Sequence, residues 1–195
     1  MTITMNIKDI KNKFQYNSPV ILTFTLISLL VYFMGYITNG YTTEKVFVLY
    51  KTSLLSPMQY VRMFTHILGH ATWDHFLNNF TIILLVGPMI EEKYGSKCVL
   101  QMIGLTAIVT SILNITLFPQ VALLGASGVA FMMVLLGSFV NIQKGKIPIT
   151  FIIIVLFFMG TEIITGVIQR DNISQFAHII GGACGSLFGY WYNRK

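Results

Sequence analysis

Charge is scarce in this chain. Lys and Arg number 13 and Asp and Glu number 7 in 195 residues, 10% in all, where a soluble domain carries roughly a quarter. With 54% hydrophobic residues and a mean hydropathy of +0.70, that scarcity excludes a water-soluble domain. It implies an integral membrane protein built as one compact helical bundle. The net charge of +6 forms no run and no single basic face, which excludes nucleic acid as a partner. The basic residues fall between apolar segments, as in proteins whose partner is the lipid bilayer. Cysteine is nearly absent, and Cys98 and Cys184 each lie in or beside an apolar segment. They read as packing thiols, not a disulfide framework. Linkers, low-complexity tracts and internal repeats are absent as well.

What is present is a series of apolar segments. A membrane span needs about 20 mainly apolar residues, and six segments qualify: 19–38, 75–91, 98–118, 127–142, 147–168 and 175–192. Lys8, Lys11 and Lys13 precede the first run, as they would in a signal peptide. The run is long, however, and Tyr36–Gly40 offers no small-x-small cleavage site, so an uncleaved first span is expected. An even number of spans puts both termini on one side. If that side is cytoplasmic, the inner segments hold Lys8, Lys11, Lys13, Lys93, Lys97, Lys144, Lys146, Arg194 and Lys195. The outer ones hold only Lys45, Lys51, Arg62 and Arg170. The excess inside sets the orientation. The expected organisation is a cytoplasmic segment 1–18, a six-span domain 19–192 and a cytoplasmic tail 193–195. The longest connection, 39–74, lies outside. With Phe47, Tyr50, Tyr60 and Phe64 it reads as an ordered amphipathic loop, either functional or lying at the interface.

This topology brings four polar residues to one level. Spans two, four and six all start outside, so His75, Asn79, Ser127 and His178 lie near the outer ends of three spans. Span four has only 16 residues from Ser127 to Ile142, about 24 Å at 1.5 Å per residue, against a hydrocarbon core of about 30 Å. Its outer end, with Ser127, is therefore expected below the membrane surface. Irregular backbone at that depth requires protein or a water-filled cavity around it.

The residues at that level fit hydrolysis. A serine hydroxyl needs a base to take its proton, and an imidazole titrates near neutrality. The Ser127 N–H, at a helix start, has no intrahelical partner. It could hold an oxyanion together with donors from Asn79 and His75. Gly125 and Gly128 allow a tight turn and close approach. The soluble-esterase pattern G-x-S-x-G does not apply, because Val129 replaces its last glycine and no strand precedes Ser127. Packing accounts for the same residues in another way. Small residues commonly pack membrane helices, and Gly181, Gly185 and Gly189 form a stripe spaced by four beside His178. That stripe also lets span six approach span four. Three histidines, His66, His70 and His75, raise a metal site as a competing reading. No glutamate stands in the H-E-x-x-H position, and no metal or cofactor is assigned.

Taken in order, these elements resemble the rhomboid family of intramembrane serine proteases over about residues 60–189. They are Arg62 and Thr65-His66, the x3, x4 and x3 spacings through His70, His75 and Asn79, and Gly87, Glu91 and Gly95 spaced by four. Gly125-x-Ser127-Gly128 and Ala177-His178-x-x-Gly181-x3-Gly185 complete the series. The resemblance implies an all-α six-span bundle and a Ser127–His178 dyad without an acid. It assigns His75, Asn79 and the Ser127 N–H to the oxyanion site, and gives structural roles to Arg62, His66, His70 and Glu91. It also implies an aromatic ring, Phe131, beneath His178, and transmembrane proteins as substrates cut at or near the membrane boundary. Val61 stands where the family commonly has Trp. Inactive relatives lose the serine or the histidine, and this chain keeps both. The expected protein is therefore an active endopeptidase of a prokaryotic plasma membrane, the origin being read from the minimal six-span form. The alternative is an inactive rhomboid-like binder of membrane helices. Glu162, in span five, is unexplained by the family pattern and is expected to face protein or water.

Overall fold

The computed structural model describes residues 15–140, 146–160 and 172–192. Glu162, Arg170 and the basic residues Lys8, Lys11, Lys13, Lys144, Arg194 and Lys195 lie outside the described residues. A helix lies over each of the six apolar segments, and among the described residues there is no strand. The helices are α1 (Pro19–Ile37), α2 (Pro57–Thr65), α3 (Trp73–Tyr94), α4 (Ser96–Leu117), α5 (Ser127–Gly137), α6 (Ile149–Ile154) and α7 (Asn172–Tyr192). Single π-helical turns follow at Thr43–Phe47, after α1, and at Val155–Met159, continuing α6. α1 and α4 are each long and apolar enough to cross a bilayer on their own.

α5 is the central element. It has no polar face, and Gly128 through Met133 together with Leu135 and Leu136 are buried, as expected of a helix surrounded by others. The apolar segment extends to Ile142, but the helix ends at Gly137 and the chain turns through Ser138–Val140. The helix is therefore about 16 Å long, shorter than hydropathy alone implied. α3 packs along one side of α5 and α7 along another. The α7 contact is made by backbone. A Cβ on Gly181 would lie 2.0 Å from the Gly128 carbonyl oxygen, and one on Gly185 would lie 2.1 Å from that of Met132. One on Gly189 would lie 2.5 Å from the Phe139 ring.

Helix ends need partners, because each leaves backbone groups without intrahelical bonds. At α1, Ser18 precedes Pro19 but makes no side-chain cap. The cap comes from 70 residues away: the Glu91 carboxylate accepts from Val20 N and Ile21 N, both at 3.0 Å, and from Ser96 Oγ at 2.7 Å. Glu91 is 4% exposed, and its negative charge lies at the positive end of α1. The adjoining turn from α3 to α4 passes through Gly95 at φ +81°, which a side chain would strain.

Glu91→Ala leaves one buried and one partly buried N–H group without an acceptor, and the expected cost is about 2–4 kcal/mol. Glu91→Gln retains one acceptor oxygen and should lose less. Thermal unfolding of the two variants in detergent, compared with wild type, reads this order. Equal midpoints for Ala and wild type would contradict the capping role.

Candidate active site

The site is built where the α5 start meets α3, α7 and the connection before α3. Thr72 caps α3 by accepting from His75 N at 3.1 Å, and this fixes the first turn from which His75 and Asn79 project. The chain entering α5 is held by backbone pairing to distant segments. Leu123 and Leu49 exchange bonds of 2.9 and 2.7 Å, and Gly125 N donates to His66 O at 2.9 Å. Asn114 Nδ2 donates to Val121 O at 3.0 Å. Gly125 sits at φ +115°, and a Cβ there would meet the His75 ring at 2.6 Å and Asn79 Nδ2 at 3.6 Å. Glycine therefore lets the backbone before Ser127 lie directly against His75 and Asn79.

Ser127 is half-buried as the first residue of α5. Next to it, Gly128 faces α7, where a Cβ would lie 3.3 Å from the Ala177 carbonyl oxygen. His178 follows Ala177, and its ring stacks on Phe131 with centroids 4.2 Å apart and planes 3° from parallel. Phe131, one turn after Ser127, thus fixes the plane of the imidazole. His75 lies within electrostatic range of His178. The structure gathers the four expected residues, Ser127, His178, His75 and Asn79, at one end of the bundle from three helices.

The other histidines are held differently. His70 Nε2 accepts from Ala126 N at 3.3 Å and lies 3.1 Å from Asn79 Nδ2. An amide N–H only donates, so this ring nitrogen carries no proton. The proton sits on Nδ1, directed at Leu68 O at 3.3 Å. Asn79 thereby commits one amide hydrogen to His70 and keeps a second. His66 Nδ1 faces Arg62 O at 3.2 Å and Ser111 Oγ at 3.3 Å. Because Ser111 Oγ donates to Met63 O, His66 is the donor in that pair. A metal shared by His66, His70 and His75 would need their ring nitrogens turned to one point. Among the described residues no group of three such ligands is so disposed. Arg62 donates through Nε and Nη2 to Lys45 O at 3.1 and 2.6 Å and stacks over Tyr50 at 4.4 Å, tying the connection after α1 to α2.

Two residues of the site went unassigned as such in the sequence. His70 was read as structural, yet it is the acceptor that orients both Ala126 and Asn79. Only its spacing from His75 and Asn79 hinted at this. Thr72 is visible afterwards as a Ser/Thr N-cap immediately before Trp73, where the helix begins.

Burial lowers the pKa of His66 and of His70 to about 4. His66 and His70 are 2% and 3% exposed, and desolvation disfavours their charged forms. The unfolded chain takes up these protons near 6.5 and the folded chain only near 4. Stability is therefore full above pH 6.5 and falls as pH drops through that window, by up to about 1.4 kcal/mol per pH unit for each histidine. Thermal midpoints in detergent at pH 7.5, 6 and 5 should decline in that order, with a shallower slope in His66→Asn. A profile flat from pH 7.5 to 5 would contradict the assignment.

A profile of the Rhomboid domain matches residues 57–195. Rhomboid-like protease 3 of Toxoplasma gondii is 36% identical over 76 residues, which cover 39% of this chain and 29% of that protein. The profile covers more than half of the chain, including every residue gathered at the α5 start. The chain therefore belongs to the rhomboid family, and it is an α-helical, multi-pass membrane protein of that protease family.

Proposed function

We propose that the chain is an intramembrane serine endopeptidase acting through a Ser127–His178 dyad. The observation that carries this reading is the backbone contact between Gly128 and the Ala177–Gly181 turn, with His178 stacked flat on Phe131. In this reading the nucleophile stands at a helix start and the base is a ring held in plane on the adjacent helix. His178 takes the Ser127 proton as Oγ attacks the substrate carbonyl. Negative charge on the carbonyl oxygen is held by the Ser127 N–H, the free hydrogen of the Asn79 amide and His75. His178 then protonates the departing amine, and water, deprotonated by His178, hydrolyses the acyl-serine ester. No acid is required to orient His178, since Phe131 does so by stacking.

The proposed setting is a six-span bundle in a prokaryotic plasma membrane, with both termini cytoplasmic and the dyad near the outer side. The substrates are transmembrane proteins cut within or beside the membrane. The Toxoplasma gondii relative is named a rhomboid-like protease, which agrees with proteolysis.

A fluorophosphonate probe should label the wild type and leave Ser127→Ala unlabelled, and the same variant should leave a membrane-anchored model substrate uncut. Labelling that survives Ser127→Ala would sink the serine assignment. A wild type that neither labels nor cleaves would favour an inactive binder of membrane helices. Asn79→Ala should lower kcat by roughly a hundredfold with KM little changed, because the lost bond forms only to the oxyanion.

A further inference from the structure

The far end of the bundle holds a contact that the dyad does not use directly. α3 ends at Lys93 and Tyr94, and its last turn reaches both helices of the site. Lys93 Nζ donates to Phe139 O at 3.0 Å and to Val140 O, the carbonyls exposed where the chain leaves α5. The Tyr94 ring meets Tyr192, at the end of α7, edge-on at 5.7 Å between centroids. Just above, Gly137 lacks the Cβ that would lie 2.9 Å from Val86 Cγ1, so α5 and α3 run close together up to the clamp.

Two physical needs meet at Lys93. A helix end presents carbonyls without donors and the negative pole of the helix dipole. An ammonium group offers three N–H donors and a positive charge. α5 is an 11-residue helix that ends at Gly137, where Ser138 Oγ donates to Leu135 O at 2.6 Å. Lys93 supplies donors from a neighbouring helix to the two carbonyls of the turn that follows.

Fourteen residues separate Asn79 from Lys93 along α3, about 21 Å at 1.5 Å per residue. α5 covers about 16 Å from Ser127, and the turn Ser138–Val140 carries the chain on to Lys93. The contact therefore joins the far end of α5 to the helix that bears Asn79. We propose, resting on the serine-protease reading above, that Lys93 is a positioning residue: by tying the end of α5 to the last turn of α3, it holds Ser127 level with Asn79. Without the tie, only the bonds of Gly125 and Ala126 at the other end hold α5 in register with Asn79, and the nucleophile is less firmly level with the oxyanion donors.

The test uses the full chain reconstituted in lipid nanodiscs, with Lys93→Met and Lys93→Arg. Fluorophosphonate titration counts folded sites, and kcat and KM for a membrane-anchored substrate are measured per titrated site. Misregister between nucleophile and oxyanion donors affects the chemical step. Lys93→Met should therefore lose at least about tenfold in kcat while KM stays within about twofold. Lys93→Arg keeps donors and charge and should stay within about threefold of wild type. A role in folding alone would lower the titrated fraction and the thermal midpoint and leave kcat per site unchanged. Wild-type kcat per site in Lys93→Met overturns the proposal, as does an equal loss in Lys93→Arg. If Lys93→Met does not fold, Lys93→Gln is read by the same criteria. Ser127→Ala is run in parallel. Labelling that persists there removes the serine reading itself, whereas wild-type kcat in the Lys93 variant removes only the clamp.

Discussion

The structure depends on one contact, the meeting of α5 and α7 backbone to backbone. Inside a bilayer no hydrophobic force drives helices together, because lipid tails are as apolar as leucine. Close packing supplies the attraction, and it requires that side chains be missing along the seam. Gly128, Gly181 and Gly185 leave that gap, and main-chain carbonyls fill it. Ser127 stands next to Gly128, and His178 next to Ala177, whose carbonyl faces Gly128. The distance between their helices is thus set by atoms that cannot change rotamer. Phe131, on the same turn of α5, extends the contact by stacking on the imidazole.

α3 is the frame against which that pair is placed. Its first turn, capped by Thr72, presents His75 and Asn79 to the Gly125 backbone. Its last turns carry Glu91, which caps α1, and Lys93, which reaches the end of α5. A single helix therefore fixes the ends of two others, one by negative charge at an N-terminus and one by positive charge at a C-terminus. Both contacts agree in sign with the helix dipole. Each also supplies partners to backbone groups outside the intrahelical hydrogen-bond pattern.

The irregular backbone around the site follows the same rule. The chain from Phe118 to Ala126 is not helical, yet its polar groups find partners in Leu49, Asn114, His66 and His70. Such backbone is tolerated at membrane depth only when it is paired in this way. His70 shows the cost and the use of the arrangement. To accept from Ala126 it must remain neutral, and burial keeps it so. A neutral ring with one proton-free nitrogen in turn holds the Asn79 amide in a single orientation.

Much of this was legible in the sequence. Hydropathy located α1 to within one residue and α4 to within two, because a bilayer demands an apolar run of fixed length. The spacing of His66, His70, His75 and Asn79, with Gly125-x-Ser127-Gly128 and Ala177-His178, marked the residues that the fold gathers. The length of α5 was misjudged, since apolarity continues past Gly137 while the backbone turns away. Composition does not record where a helix ends. Nor could the sequence show that Glu91 caps a helix 70 residues earlier, that Ala126 donates to His70, or that Lys93 reaches Phe139 and Val140. These are bonds between groups far apart along the chain, and no local pattern encodes their meeting. The sequence by itself determined that the chain lives in a membrane, where its helices lie and which polar residues stand among them. Only the tertiary structure decided how those residues face one another, because that depends on how closely two helices approach, and the approach is set by glycines whose partners lie on another strand of the path.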